Sequence, residues 1–350
     1  MAVTTTYPGV YIEEDASPSI SVSALPTSIP LIAMGATYST TAKKFDNYLD
    51  FVTSSGGTVD LTDAGNAGMR AYFENGGGTC YAVASASVAT AVAALNDVTL
   101  LVANSYDISA AVATTCIDGE TRFAILDGPT TALDSTGTSS STYAANQYAA
   151  VYYPFLSVTW TTVAIAPSAV VAGLYCRNDR TRGVWKSPAN IPLSAGYTPK
   201  FTVTDSLQGT YNTGKAINMI RYFPDTGNLV WGARTLDDSD DWRYIAVRRL
   251  FNSAEADIKQ TMEAMVFEPN NQPTWQKVYS AIDNYLYGLW REGALLGAKP
   301  EDAYFVQIGE GVTMTPDDIA KGRMIAKVGM AAVRPAEFII LQFTQNMEGV

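Results

Sequence analysis

Histidine is missing from all 350 residues. That removes the side chain most often used as a general base near neutral pH and the most common metal ligand, so catalysis would have to run on carboxylates, lysine or hydroxyls. Cysteine is nearly as scarce. Cys80, Cys116 and Cys176 lie far apart, a spacing that fits buried thiols and neither a disulfide framework nor a zinc site. Long apolar runs are lacking too: stretches such as Phe338–Leu341 and Ala164–Val171 fall far short of the roughly 20 residues that span a bilayer. No basic segment precedes an apolar core near Met1, so neither a signal peptide nor direct membrane insertion is expected, and the chain is expected to be made in the cytoplasm. Positive charge is the last shortage. With 23 Lys and Arg against 34 Asp and Glu the net charge is −11, which argues against a nucleic-acid surface and leaves room for a basic partner.

What is present is globular: 47% hydrophobic and 16% charged residues suit one large or two ordinary domains. After a Pro- and Ser-rich linker from Ala16 to Pro30, Leu31–Gly35 reads as a buried strand, Tyr48–Val52 and Leu61–Phe73 as helices, and Tyr81–Ser85 as the next strand. Thr121–Pro129 is a strand with a turn behind it. Alternation of this kind defines the α/β class. Thr130–Ser141 reads as a mobile surface loop, Tyr148–Leu156 and Val163–Ala166 as buried strands, Ser168–Cys176 as a short helix capped by its serine, and Arg177–Asn190 as an ordered loop. In the last third, Leu229–Leu236 reads as a strand and Asn252–Val266 as a helix. The best-marked helix starts at Pro273, carries Trp275, Val278, Ile282, Tyr285, Leu286 and Leu289 down one face, and closes before Gly293.

Three motifs invite chemistry and none completes it. Gly209-Thr-Tyr-Asn-Thr-Gly214-Lys215-Ala216 has the glycine spacing and lysine of a phosphate-cradling loop, but alanine stands where a magnesium-binding hydroxyl belongs. A tight loop leading into Ile217–Tyr222 is the plainer reading. Asp237, Asp238, Asp240 and Asp241 could attract a hard cation, yet no calcium-loop glycine or distal glutamate accompanies them, and a solvated acidic turn is expected. No Gly-x-Ser-x-Gly elbow occurs, and Ser187 beside Lys186 is too little for a Ser–Lys pair. We therefore expect no catalytic residues, no metal and no cofactor.

The two ends say more. Val3–Glu14 and Glu337–Thr344 are short, β-prone and set off by proline, and a strand needs partners for its backbone groups. Both are expected to pair with something outside their own body, another copy of the chain included.

Several blocks, in register over nearly the whole chain, carry a resemblance. Tyr7-Pro-Gly-Val-Tyr-Ile-Glu-Glu14, Asp179-Arg-Thr-Arg-Gly-Val-Trp-Lys-Ser-Pro-Ala-Asn190, Ile217-Asn-Met-Ile-Arg221, Val230-Trp-Gly-Ala-Arg-Thr-Leu236, Trp242-Arg-Tyr-Ile-Ala-Val-Arg-Arg-Leu-Phe251, Phe267-Glu-Pro-Asn270 and Arg334-Pro-Ala-Glu-Phe338 resemble the contractile tail sheath family. That family takes in phage tail sheaths, R-type pyocins and extracellular contractile injection systems. The short length and the Thr-Thr-Thr-Tyr-Pro-Gly-Val-Tyr opening most resemble the injection-system branch, of antifeeding-prophage and Photorhabdus virulence cassette type, with a virion tail sheath as the alternative. A nucleotide-binding enzyme built on Gly209–Lys215 is the alternative from a different class. The segment Thr313–Asp318 departs from the asparagine-led turn of many relatives.

The resemblance implies a mixed α/β subunit of two domains with extended β arms at both ends that pair with neighbouring subunits. It places an N-terminal arm and linker at 1–22, an outer α/β domain at 23–240, an inner tube-facing domain at 241–335 and a C-terminal arm at 336–350. Arm contacts would fall on Tyr7, Val10, Tyr11 and Ile12, and on Phe338, Ile339, Ile340, Leu341 and Phe343. The helix Pro273–Glu292 is the candidate tube-facing element, through Trp275, Lys277, Asp283 and Arg291. Implied partners are other copies in stacked helical rings, an inner tube protein, baseplate and terminal cap proteins and sheath paralogues, in a particle assembled in the cytoplasm and then released.

Overall fold

The computed structural model describes residues 21–338. Its strands are β1 (Pro30–Met34), β2 (Lys43–Phe45), β3 (Cys80–Ala84), β4 (Leu100–Val102), β5 (Phe123–Asp127), β6 (Ala149–Tyr153), β7 (Leu156–Ser157), β8 (Ile191–Pro192), β9 (Thr198–Pro199), β10 (Ile217–Phe223), β11 (Gly227–Val230), β12 (Tyr304–Ile308) and β13 (Ala326–Met330). Its helices are α1 (Tyr48–Ser54), α2 (Ala64–Glu74), α3 (Val88–Ala93), α4 (Ser109–Thr115), α5 (Pro167–Arg182), α6 (Asp205–Thr210), α7 (Ile245–Glu263), α8 (Gln272–Arg291), α9 (Pro300–Ala303) and α10 (Pro316–Ala320).

The chain divides into two compact units, one holding Ala24–Ala256 with the segment from Ala332, the other Asp257–Ala331. The larger is organised by a nine-stranded sheet in the order β2-β3-β1-β4-β5-β6-β10-β11-β8. The central strands from β3 to β10 run parallel, and β2, β11 and β8 are added antiparallel. Side chains of a strand alternate between faces, and the core divides accordingly. Ile32, Val102, Ile125, Ala150 and Tyr152 pack with α2 and α5 on one face. Leu31, Ala33, Leu101, Ala124, Val151 and Tyr153 pack with α3 and α4 on the other. Covered on both faces, these strands read as unbroken apolar runs, the pattern of a buried parallel sheet.

The smaller unit is simpler. The helix α8 lays Val278, Ile282 and Leu286 against Val306 of the antiparallel pair β12–β13, with Met265 closing the cluster. An N-cap starts α8, where Asn271 Oδ1 accepts the Thr274 amide at 3.3 Å, and Pro273 occupies the first turn, where its missing N–H costs nothing.

Several local expectations differ from the structure; Leu229–Leu236, read as a strand, is one only as far as Val230. Val163–Ala166 forms only an isolated bridge, Leu156 to Ile165, because the prolines at 154 and 167 leave too little chain for a ladder. The helix after it runs on to Arg182, so much of the expected loop at 177–190 is helical, and Ala166 takes the cap position. Ser168 has another task, described below. Thr130–Ser141 is tied down: the Asp134 carboxylate accepts from Thr136, Thr138, Ser139 and the Tyr211 hydroxyl, which holds it well below the usual carboxylate range.

Candidate functional site

In a doubly wound sheet the usual ligand site is the crevice beyond the carboxyl ends of the strands where their order reverses, here between β1 and β4. In this chain side chains and backbone fill it. Asn104, fully buried at the end of β4 with φ 49°, donates through Nδ2 to the carbonyls of Ala33 at 2.9 Å and Gly65 at 3.2 Å. Its oxygen lies so close to Gly68 of α2 that a Cβ there would sit 1.6 Å from it, which makes glycine obligatory. The Asn104 amide donates to Ser168 Oγ at 2.8 Å. The amides of Ser105 and Ser168 both donate to Asp127 at 2.8 Å. Loss of solvent pushes the Asp127 carboxyl above its ordinary range, against the pull of those two donors. The place where a ligand would enter thus serves to lock β1, β4, β5, α2 and α5 together.

The glycine loop resolves as a structural tie. A phosphate-cradling loop follows a strand and opens a helix, whereas here α6 leads in, ending inside the motif at Thr210, and β10 follows. Lys215 Nζ is taken by the carbonyls of Tyr143 at 2.6 Å and Ser141 at 3.2 Å, and the Gly214 amide by Asp238 at 2.9 Å. The acidic turn is partly paired: Arg243 meets Asp238 at 2.8 Å and Asp240 at 3.1 Å, and Arg334 reaches Asp241 at 3.7 Å. No group of His, Cys, Asp and Glu that could hold a metal occurs among the described residues, and all three cysteines are buried and free.

Two arginines of the quoted blocks, Arg249 and Arg234, tie Thr27 and Glu337 into the larger unit. Arg249 of α7 pairs with Asp179 of α5 through Nη1–Oδ1 at 3.0 Å and Nη2–Oδ2 at 2.6 Å, with only 3% and 4% of the side chains exposed. Thr27 of the N-terminal linker joins this pair. Its hydroxyl donates to Asp179 at 2.6 Å and its carbonyl accepts from Arg249 at 3.0 Å. At the other end Arg234 binds Glu337 in a bidentate pair. Four residues after Asp179, Gly183 takes φ 86° to end α5, and Trp185 folds back over it so closely that a Cβ would meet the ring at 2.5 Å.

Tyr7, Val10, Tyr11, Ile12, Ile339, Ile340, Leu341 and Phe343 lie outside the described residues. Phe338 is described, and 71% of it is exposed. Of the helix residues, Lys277 and Arg291 are exposed, Trp275 is half-buried and hydrogen-bonded to Asn270 at 2.7 Å, and Asp283 is turned toward Tyr304 of β12. Periodicity could not foresee the two arginine clasps, since their partners are separated by 70 residues or more of sequence.

Residues 237–346 match the model of the phage tail sheath C-terminal domain. The whole chain is similar to the sheath in the contracted sheath complex of PVC, an extracellular contractile injection system, at 52% identity and TM-score 0.92 over 99% of both chains. The chain belongs to the contractile tail sheath family. It is also 42% identical to a chain of the contracted helical sheath of the anti-feeding prophage, over 98% of this chain and 100% of that one, with TM-score 0.83. A sheath tail protein from Desulfitobacterium hafniense shares the fold at 10% identity and TM-score 0.62, over 93% of this chain and 100% of that one. No curated protein matches. The role of this sheath subunit is structural, and its fold is the mixed α/β fold of that family.

Proposed function

We propose that copies of this sheath subunit stack as helical rings around an inner tube, joined through their terminal arms, and contract to drive that tube through a target envelope. The observation that carries the reading is the state of the Asp257–Ala331 unit. Its sheet has two strands, packed on α8 by one face, and each strand has a partner on one side only among the described residues, which leaves two open edges. Eight of the thirteen large hydrophobics exposed in the described chain sit in this unit, Phe267 and Phe305 among them, although it is less than a quarter of the sequence. An edge of this kind accepts added strands, and segments 3–14 and 337–344 have the composition to supply them.

In this reading the tube-facing domain lies within residues 241–335, and α8 approaches the tube through Lys277 and Arg291. Solved anti-feeding prophage baseplates contain chains similar to this one, which supports baseplate proteins as further partners. A terminal cap and sheath paralogues complete the partner set. Assembly takes place in the cytoplasm, the particle is then released, and the subunit works without catalysis.

The test is electron microscopy of the purified chain and two truncations, one lacking residues 1–15 and one lacking 339–350. The full chain is expected to form hollow, helically striated cylinders, and both truncations to stay folded without forming them. Cylinders of normal length from either truncation would overturn the role of that arm.

A further inference from the structure

We propose that Glu337 is the clasp at the root of the C-terminal arm: seated on Arg234, its carboxylate fixes the point from which the arm leaves its own subunit. This rests on the reading above, in which that arm engages another copy. The seat is built before the arm reaches it. Asn218 of β10 holds the backbone of Arg234 on both sides, its Oδ1 accepting the Arg234 amide at 2.7 Å and its Nδ2 donating to the Arg234 carbonyl at 2.8 Å. The Arg234 side chain, 9% exposed, donates Nη1 to the Asn212 carbonyl and lies 3.7 Å from Asp238, which leaves its other edge facing outward.

Glu337 fills that edge. Nε of Arg234 lies 3.1 and 3.0 Å from the two carboxylate oxygens, and Nη2 donates to Oε2 at 2.6 Å. Asn212 Nδ2 donates to Oε1 at 3.2 Å, and the Tyr244 hydroxyl to Oε2 at 3.4 Å. Three residues thus converge on one carboxylate, with planar pairing that lysine at 234 could not reproduce. Glu337 is the inward residue of an alternating stretch: its side chain is 22% exposed, while Ala336 and Phe338 on either side are exposed, Phe338 at 71%.

Position 337 matters because the chain re-enters the larger unit at Ala332. Were the clasp open, only the exposed contact of Arg334 with Asp241 at 3.7 Å would restrain the segment before it, and the reach of the arm would grow by up to about 20 Å. A longer tether samples more space and meets its target less often, so a fixed root raises the effective concentration of the arm at the neighbouring subunit. Side chain and backbone therefore divide the work: the carboxylate sets where the arm starts, and the strand beyond it makes the joint.

The test compares Glu337→Ala, Glu337→Gln and Tyr244→Phe in the full chain. Solvent exchange of the Arg234 Nε–H, read by NMR in the unassembled protein, is expected to rise about tenfold or more in Glu337→Ala, as loss of a charge-assisted pair implies, and less in the other two. The thermal midpoint of the body should stay within a few degrees of wild type, which separates a positioning role from a general structural one. Sheath length should fall in the order wild type, Gln, Ala. Unchanged exchange in Glu337→Ala would overturn the clasp, as would wild-type sheath length despite faster exchange. Failure of the wild-type chain to form sheaths would refute the assembly reading instead, while the exchange result would still decide whether the clasp exists.

Discussion

Arg248 and Arg249 are neighbours with opposite surroundings. The guanidinium of Arg248 lies 4.1 Å from the ring centre of Trp242 and 4.8 Å from that of Tyr148, with Glu255 at 2.9 Å, whereas Arg249 is sunk into the Asp179–Thr27 site over Tyr175. Successive positions on a helix point about 100° apart, so one pair of arginines serves two faces of α7. Removing one partner of a buried pair strands the other's charge, which costs about 3–5 kcal/mol. Asp127 makes a sharper prediction at this scale. Each of its oxygens accepts one backbone amide, so Asp127→Asn turns an NH₂ toward a donor and should lower stability by about 1–3 kcal/mol in denaturant unfolding. The sign of the pH effect follows from its raised pKa. As pH rises past the ordinary aspartate value the unfolded chain loses this proton first, so wild-type stability falls until pH passes the folded value. The asparagine variant should lose that component of the acid-side slope; an unchanged slope would show that Asp127 is not its source.

Among the elements, α8 has two faces that can be tested separately. Ile282 and Leu286 are fully buried against Val306 and Met265, and Ile282→Ala should destabilise the chain by about 2–5 kcal/mol whatever the helix does in the assembled sheath. Lys277 and Arg291 lie exposed on the same helix. Reversing both to glutamate should leave the melting curve of the free chain unchanged and reduce co-sedimentation of sheath with tube. Undiminished co-sedimentation would remove these two side chains from the tube contact. The pair β12–β13 is the other element of interest. Its inner positions Tyr304, Val306, Val328 and Met330 cover α8, while Phe305 on the outer face stays 45% exposed, so a strand added at its edge would extend a surface that is already apolar.

For the whole molecule the question is where the work of contraction comes from. Every 100 Å² of apolar surface that the compact lattice buries beyond the stretched one contributes about 2.5 kcal/mol per subunit, so a few hundred Å² exceed the thermal energy many times over. A stretched lattice can then persist only behind a kinetic barrier. The closed crevice at β1 and β4 and the occupied Lys215 agree with a machine powered this way. Particles triggered after exhaustive removal of nucleotide should contract as fully and as fast as untreated ones, measured by sheath length and time-resolved scattering. Dependence on added ATP would overturn the account.

The α/β class and the helix α8 were legible in the sequence, because strand alternation and proline placement are local signals. The true extent of α5, the role of Ser168 as a lock and not a cap, and the tied loop at Asp134 were not legible. Each depends on partners brought close only by the folded sheet. The same holds for the clasps at Thr27 and Glu337, whose arginines are conspicuous in the sequence but whose partners stand 222 and 103 residues away. Composition and periodicity determined what kind of body this chain makes. Only the tertiary structure decided which distant residues meet at Asp179 and Arg234, because an ion pair between distant residues leaves no periodic mark along the chain that carries it.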